Sequence, residues 1–583
     1  WTVHSNKMAI YTSRFNINVN SFKLIKNMTG RHSLSSRIFY QPVPVRGFRQ
    51  KTYDETLIHV SPHSNMVLPQ VPLPAFFWKK TEPFAQSKAM KCVGSGKTYT
   101  FEDIKGLAIS FARGLKDVGF RYGDVLAIMT NNSPEYLALC LGAQILGGSV
   151  TLVSGVFQPE EAVYQIAHAE AKVLVTNSDR YKLMKSEIQK NSTVKKVITV
   201  DKQIEDSVLL QDFIQKDGTE VYFINVDPRE DLAFIPYTGM SKGVMLTHYN
   251  IVSNILQATK PGVSSITLHS SDGAKQETIF SVLPFCHIYG LTVSFMSLIL
   301  GKKFVTLDTF DTKRFVEVIQ NEKPDHLYIV PTLGQLMVEN PKISKEVMSS
   351  VKTVYCGGAP LATSLYKKIV GKFDHIKLYQ GYGLTETSPV VTLSYLKKPM
   401  RYSIGQLIPN TKAKVVDLLT GKSLGPNQEG ELHVQGPQVM KGYLKNREET
   451  KNVIQRDHWL RTGDIVKYDE DGNFFIMDRF KSLIKVKGHA VFPAEVENVL
   501  KKHPKIKDVG VVGVADAFFG EIPMALVVRK DASLTEEEVQ KHVTKLAEHK
   551  HLKGGVRFVD TIPREPNGKL LRHELKKLAE HHT

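Results

Sequence analysis

Within eight residues, Gln380-Gly381-Tyr382-Gly383-Leu384-Thr385-Glu386-Thr387 gathers a glycine turn, a hydroxyl, a carboxylate and an aromatic face. Glycines let backbone N–H groups approach a phosphate closely, and Thr385 adds a hydroxyl donor. Glu386 offers hard oxygen for magnesium, and Tyr382 a flat face for a purine. Other segments hold similar types. Leu283-Pro284-Phe285-Cys286-His287-Ile288-Tyr289-Gly290 sets a histidine and an aromatic in an apolar run. Gly357-Gly358-Ala359-Pro360 reads as a tight turn after a strand at Thr353–Cys356, and Trp459-Leu460-Arg461-Thr462-Gly463-Asp464 offers a carboxylate suited to ribose hydroxyls. Asp478-Arg479-Phe480-Lys481-Ser482-Leu483-Ile484-Lys485-Val486-Lys487-Gly488 is a charged connector, and Pro563-Arg564-Glu565-Pro566-Asn567-Gly568-Lys569 puts a lysine on a glycine-led turn. Singly, each has a bland reading: core histidine, solvated lysine, turn cap, packing aromatic. Cys286 and Cys356 read as packing residues.

The elements that must carry these groups alternate from about residue 98. Ile104, Leu107, Ala108, Phe111, Ala112, Leu115 and Val118 share a helical face, with Thr100 as its cap. Asp124–Met129 reads as a strand, and Ser133-Pro134-Glu135 as an N-cap, a proline at the first position and an acidic first turn. Strands at Ser149–Val153 and Lys172–Thr176 flank a helix at Pro159–Glu170. Such alternation predicts doubly wound parallel sheets. After about residue 400 short strands, Ala413–Asp417, Glu431–Gln435 and Asn473–Met477, punctuated by Gly, Pro and Asp, predict a β-rich subdomain. A last α+β unit has a helix from Ala494, strands Val509–Val514 and Met524–Val528, and a helix with Thr535/Glu538 at capping-box spacing.

At 583 residues the chain needs more than one core. Its composition, 42% apolar and 23% charged, is that of a globular protein. The net charge of +18 is uneven: residues 1–53 hold nine Lys or Arg and no acid, which leaves 67 basic against 58 acidic residues beyond them. Half the excess thus belongs to the leader, and a nucleic-acid partner is not expected. The acid-free leader fits a mitochondrial transit peptide, with a cytoplasmic location as the alternative. The last residues, His581-His582-Thr583, are not a Ser-Lys-Leu type peroxisomal signal. Four scattered cysteines argue against a zinc module or a disulfide framework. Phe280–Leu300 lacks charge, but Pro284, His287 and Gly290 interrupt it; strand, loop and helix are expected there, not a membrane span. Peripheral membrane contact and oligomeric state stay open.

In this order and spacing, the motifs resemble the adenylate-forming (AMP-binding) superfamily of acyl-CoA synthetases, 4-coumarate–CoA ligases and firefly luciferases, over roughly residues 60–580. The resemblance implies an N-terminal adenylation domain (54–479) of doubly wound sheets plus a β-rich subdomain, and a small mobile α+β C-terminal domain (480–583). It implies ATP, magnesium and coenzyme A acting on a small carboxylic acid, medium-chain fatty or aromatic. By resemblance Lys569 bridges the incoming carboxylate and the α-phosphate; Thr385 holds phosphate oxygens and Glu386 the magnesium. Asp464 and Arg479 bind ribose, Tyr382 packs on adenine, and Gly358, Ala359, Pro360, Gln380, Gly381 and Gly383 complete the ATP-binding set. His287, Tyr289, Gly357, Gly358, Pro389 and Val390 line the acyl pocket. Lys481 matches the hinge, and Lys485, Lys487 and Gly488 the loop serving coenzyme A.

Two departures stand out. The family phosphate loop runs roughly Tyr-Ser-Ser-Gly-Thr-Thr-Gly-x-Pro-Lys-Gly, whereas Tyr237-Thr238-Gly239-Met240-Ser241-Lys242-Gly243 keeps both ends, lacks about four central residues and has Ser241 for the proline. Thr238, Gly239 and Lys242 remain as phosphate donors. Ala490 stands where many relatives carry glutamine. A catalytically impaired protein of the same fold is therefore the alternative to an active ligase, with a luciferase-like oxygenase as a third reading.

Overall fold

The computed structural model describes residues 57–580 apart from 215–219, 239–241, 270–274, 395, 397–401, 480–481, 483, 487–488, 517–518 and 565–569. The leader lies outside the described residues. Continuous apolar runs such as Val125–Met129, buried at every position, form inner strands covered on both faces by helices. Among the described residues there are two large sheets, of eight and nine strands. Each has a parallel centre and antiparallel strands at one or both edges.

Helices fill the space between the sheets. Pro134–Ile145 is buried along its whole length, and Ile288–Ile299 along nearly all of it. They share one apolar core with Phe77, Phe111, Phe285 and Phe304. Thr100 caps Phe101–Asp117 through a capping box, as its spacing predicts. Ser133 is the residue preceding Pro134–Ile145, but its side chain makes no cap hydrogen bond to the backbone. The charge-free segment resolves into the strand Thr278–Ser281, a loop and the helix Ile288–Ile299, and no described helix is long and apolar enough to cross a membrane.

The third region is an antiparallel sheet built from Lys412–Val416, Gly430–Gln435, Leu460–Tyr468 and Phe474–Arg479, edged by His59–Val60. Its alternate residues Ala413, Val415, Leu432 and Val434 make a separate core. Beyond it, Ile506–Asp516 and Gly520–Arg529 pair as long antiparallel strands, and helices including Pro493–Leu500 and the Thr535-capped Glu536–His542 cover their sheet.

At the amino ends of the nine-stranded sheet, Glu277 anchors a network. Its carboxylate lies 2.7 Å from Lys302 Nζ, 2.9 Å from Lys352 Nζ and 3.4 Å from His326 Nε2. His326, and behind it Lys302 and Lys352, hold Glu277 well below the usual carboxylate range, although burial pushes the other way. A depressed folded-state pKa gives stability that is present above the ordinary value of about 4.3 and is lost as pH falls below it. Glu277→Gln should therefore cost about 2–3 kcal/mol at neutral pH, less than the ~3–5 of a fully buried pair, because the side chain keeps 24% exposure. Urea midpoints at neutral pH and in acid check this: the penalty should shrink in acid, and a constant penalty would refute the charge explanation.

Candidate active site

Lys377–Gly383, Thr353–Cys356, His326–Ile329 and Thr278–Ser281 are parallel neighbours, so the loops after them leave the sheet on one edge. Ligands of open α/β sheets bind at that edge. The loop after Ser281 ends at His287, the N-cap of Ile288–Ile299, whose Nδ1 accepts from Tyr289 N–H at 3.2 Å. With Nδ1 accepting, the neutral ring carries its proton on Nε2. Tyr289 packs on the Gly357 turn: a Cβ at Gly357 would stand 3.3 Å from the ring's Cζ, tighter than ordinary contact. Burial pushes the Tyr289 hydroxyl's pKa up, and Cys356 adds to it. Gly358 and Pro360 are exposed and Ala359 half-buried, while Gln380 is buried with its N–H on Ser394 Oγ at 2.8 Å.

The Thr385–Glu386 turn is set by an unusually close return of the chain. Leu384 N–H and Thr387 Oγ1 both donate to Pro389 O, at 3.0 and 2.6 Å. A Cβ on Gly383 would lie 1.8 Å from that same oxygen, so the position excludes any side chain. Two helices grip the far side. Thr292 Oγ1 donates to Ser388 O at 3.3 Å. Asn254, on the helix His248–Thr259, donates to Val390 O at 2.8 Å and accepts from Val390 N–H at 3.0 Å.

Tyr443 joins this turn to the phosphate-loop hairpin. Its hydroxyl donates to Glu386 Oε1 at 2.8 Å, and Lys242 Nζ sits 5.0 Å over its ring. Burial, then the Glu386 carboxylate, pushes the Tyr443 hydroxyl's pKa up. Lys242 also pairs with Glu449. The strands Leu232–Thr238 and Lys242–Thr247 pair antiparallel, with Thr238 opposite Lys242, so only residues 239–241 connect them.

On the other flank, Tyr382 is buried and its hydroxyl donates to Asp464 Oδ2 at 2.7 Å. Asp464 is itself 3% exposed and lies opposite Arg479 in the strand register. Glu431 braces the turn before it, accepting from Arg461 Nη2 at 2.8 Å and from Gly463 N–H at 3.3 Å.

Thus His287, Tyr289, Gly357, Gly358, the run Gln380–Gly383, Thr385, Glu386, Pro389, Val390, Asp464, Thr238 and Lys242 fall in one contiguous region. Gly239, Lys481, Lys487, Gly488 and Lys569 lie outside the described residues. Arg479 and Lys485 are placed through their strands, Phe474–Arg479 and Ile484–Val486. The thiol expectations agree with the structure: burial pushes Cys356 up to about 12 and raises Cys286, so neither suits a thiolate nucleophile. Sequence reading missed Tyr443, Glu449, Asn254 and Glu431. Only Glu431 left a signal, an acid facing the same way as His433 and Gln435 in an otherwise apolar strand.

The Glu386 carboxylate and Thr385 hydroxyl suit magnesium, which binds one or two carboxylates plus phosphate oxygens and keeps several waters. Among the described residues no group of three or more His, Cys, Asp or Glu is placed to hold a metal ion. A glycine turn, a hydroxyl, a carboxylate and a lysine-bearing hairpin at parallel strand ends describe an α/β enzyme that handles nucleotides.

The comparisons make that class specific. A model of the AMP-binding enzyme family matches residues 77–444, and one of the AMP-binding enzyme C-terminal domain matches 495–569. The chain belongs to this adenylate-forming family of enzymes. It is 35% identical over 539 residues to probable 4-coumarate–CoA ligase 1 of Dictyostelium discoideum, covering 88% of this chain and 97% of that one. It is 35% identical over 518 residues to 4-coumarate–CoA ligase 1 of Solanum tuberosum, covering 87% and 93%. Among solved structures, ATP-bound MatB of Rhodopseudomonas palustris superposes with a TM-score of 0.80 at 28% identity, covering 88% of this chain and 99% of that one.

Proposed function

We propose that this protein is an acid–thiol ligase that adenylates a medium-chain fatty or aromatic carboxylic acid with ATP and magnesium and passes the acyl group to coenzyme A. The observation that carries the reading is the convergence of Lys242, Glu386 and Asp464, through Tyr443 and Tyr382, on the edge where His287 emerges. In the first step a carboxylate oxygen attacks the α-phosphorus and the bond to the β-phosphate bridge breaks, releasing pyrophosphate. Lys569 neutralises charge growing on the α-phosphate, Thr385 donates to phosphate oxygen, and Asp464 with Arg479 holds the ribose. Glu386 and Thr385 would hold magnesium, which supplies charge to the phosphates. His287, protonated on Nε2, donates to the substrate carboxylate. In the second step the coenzyme A sulfur attacks the acyl carbon, the bond to AMP breaks, and the thiol proton passes to water.

Tyr289, Gly357, Pro389 and Val390 give the acyl end apolar and backbone walls, which favour an uncharged tail. A second reading has its own observation. With Thr238 paired directly to Lys242, the hairpin lacks the central donors a full phosphate loop supplies, and an impaired protein would follow. Incubation with ATP, magnesium, coenzyme A and a panel of saturated acids of graded chain length and aromatic acids separates the two. Acyl-CoA, read by mass spectrometry, is expected with an aromatic or medium-chain acid; nucleotide binding without thioester from any acid would establish the impaired form.

A further inference from the structure

We infer that Asn132 is a positioning residue for His287, setting the imidazole from the opposite sheet; the inference rests on the reading of His287 as the carboxylate's partner. Asn132 lies in the connection between the strand Val125–Met129, in the eight-stranded sheet, and the helix Pro134–Ile145. Its side chain crosses to the nine-stranded sheet. Nδ2 donates to Leu283 O at 2.9 Å and to Thr306 Oγ1 at 3.2 Å, and Oδ1 accepts from Phe285 N–H at 2.8 Å. One amide thus satisfies a carbonyl and an N–H on either side of Pro284, as a neighbouring strand would.

Those two backbone groups are buried, and leaving them unpaired would be costly. The clamp also reaches the ring. His287 N–H donates to Pro284 O at 3.1 Å, and the ring accepts from Tyr289 N–H at 3.2 Å, so hydrogen bonds and two peptide units run from Asn132 to the imidazole. The adjoining Gly290 leaves no slack, because a Cβ there would stand 2.3 Å from Pro284 O. Asn132 itself is 7% exposed, its amide held by the three hydrogen bonds above, and its backbone carbonyl accepts a long hydrogen bond from Cys92 Sγ at 3.9 Å. It therefore acts on the carboxylate through His287 and not by touching the substrate.

A double-mutant cycle in ATP–pyrophosphate exchange, with thermal midpoints measured alongside, tests this. Asn132→Ala should raise the KM for the acid about tenfold while the KM for ATP moves less than twofold. In the His287→Ala background the same change should add less than twofold, because its route of action is gone. Should the alanine variant not fold, Asn132→Ser, which keeps a hydroxyl, carries the same cycle. Additive losses, or equal rises in both KM values, would overturn the inference by making Asn132 a general structural residue. A His287→Ala enzyme with an unchanged KM for the acid would instead overturn the reading of His287, a separately visible failure.

Discussion

Lys569→Ala should lower acid-dependent ATP–pyrophosphate exchange by about 10²–10³-fold, the usual cost of removing one fixed group aimed at developing charge. Lys569 follows Gly568 in the sequence, and a lysine side chain brings a compact ammonium to the reaction. As the carboxylate attacks, the α-phosphate gains negative charge in a pentacovalent arrangement. An ammonium already in place stabilises that charge without water having to reorganise. In the proposed site Asp464, Thr385 and the hairpin also hold the ground-state nucleotide, so its dissociation constant should change only a few-fold. Thioester formation from a supplied acyl-adenylate should survive, since that step begins after the α-phosphate has been attacked. Lys569→Arg should not restore exchange, because a planar guanidinium cannot replace a compact ammonium in a bridging position. Undiminished exchange by Lys569→Ala would remove the residue from the chemistry.

Gly383→Ala is the second large effect. Its Cβ would stand 1.8 Å from Pro389 O, an oxygen already accepting from Leu384 N–H and Thr387 Oγ1. Backbone cannot swing away as a side-chain end can, so the whole turn from Leu384 to Pro389 must move. That turn bears Thr385 and Glu386 and contacts Asn254 and Thr292 through its far end. Displacement of reacting groups by about 1 Å can cost ~10²-fold in rate, and overpacking costs about 1–3 kcal/mol of stability. Gly381→Ala provides the contrast, because its Cβ would meet the flexible end of Leu393 at 2.9 Å. Exchange kinetics and urea midpoints of the two variants check the pair: Gly383→Ala should lose most of its activity and Gly381→Ala far less. Wild-type kinetics in Gly383→Ala would show that the turn does not position the phosphate-binding groups.

The sequence announced its elements where a local rule governs them. The 3.6-residue face of Phe101–Asp117 and its Thr100 cap, the Thr535 capping box, and the strand–loop–helix reading of Phe280–Leu300 depend only on neighbours along the chain. Strand order within the sheets could not be read this way, because antiparallel and parallel edges around a buried centre carry the same apolar runs. At the site, short motifs identified Thr385, Glu386, Asp464 and His287 as candidates. What holds them escaped notice, because each brace comes from far away in the chain: Glu449 to Lys242, Tyr443 to Glu386, Tyr382 to Asp464, Asn254 to Val390. The helix His248–Thr259 shows why. Its Asn250, Asn254 and Gln257 would suit a solvated face, yet they are buried and bond to loop backbones. Only the folded arrangement reveals that those backbones need partners.

The shortened hairpin makes adenylation itself the point to measure. Labelled pyrophosphate, unlabelled ATP, magnesium and a panel of carboxylic acids should be mixed with the wild-type protein, with coenzyme A left out. Label should enter ATP only when an accepted acid is present, since reversal of an acyl-adenylate is the route back. Nucleotide binding without label transfer for any acid, or thioester formation that proceeds without such transfer, would contradict the account.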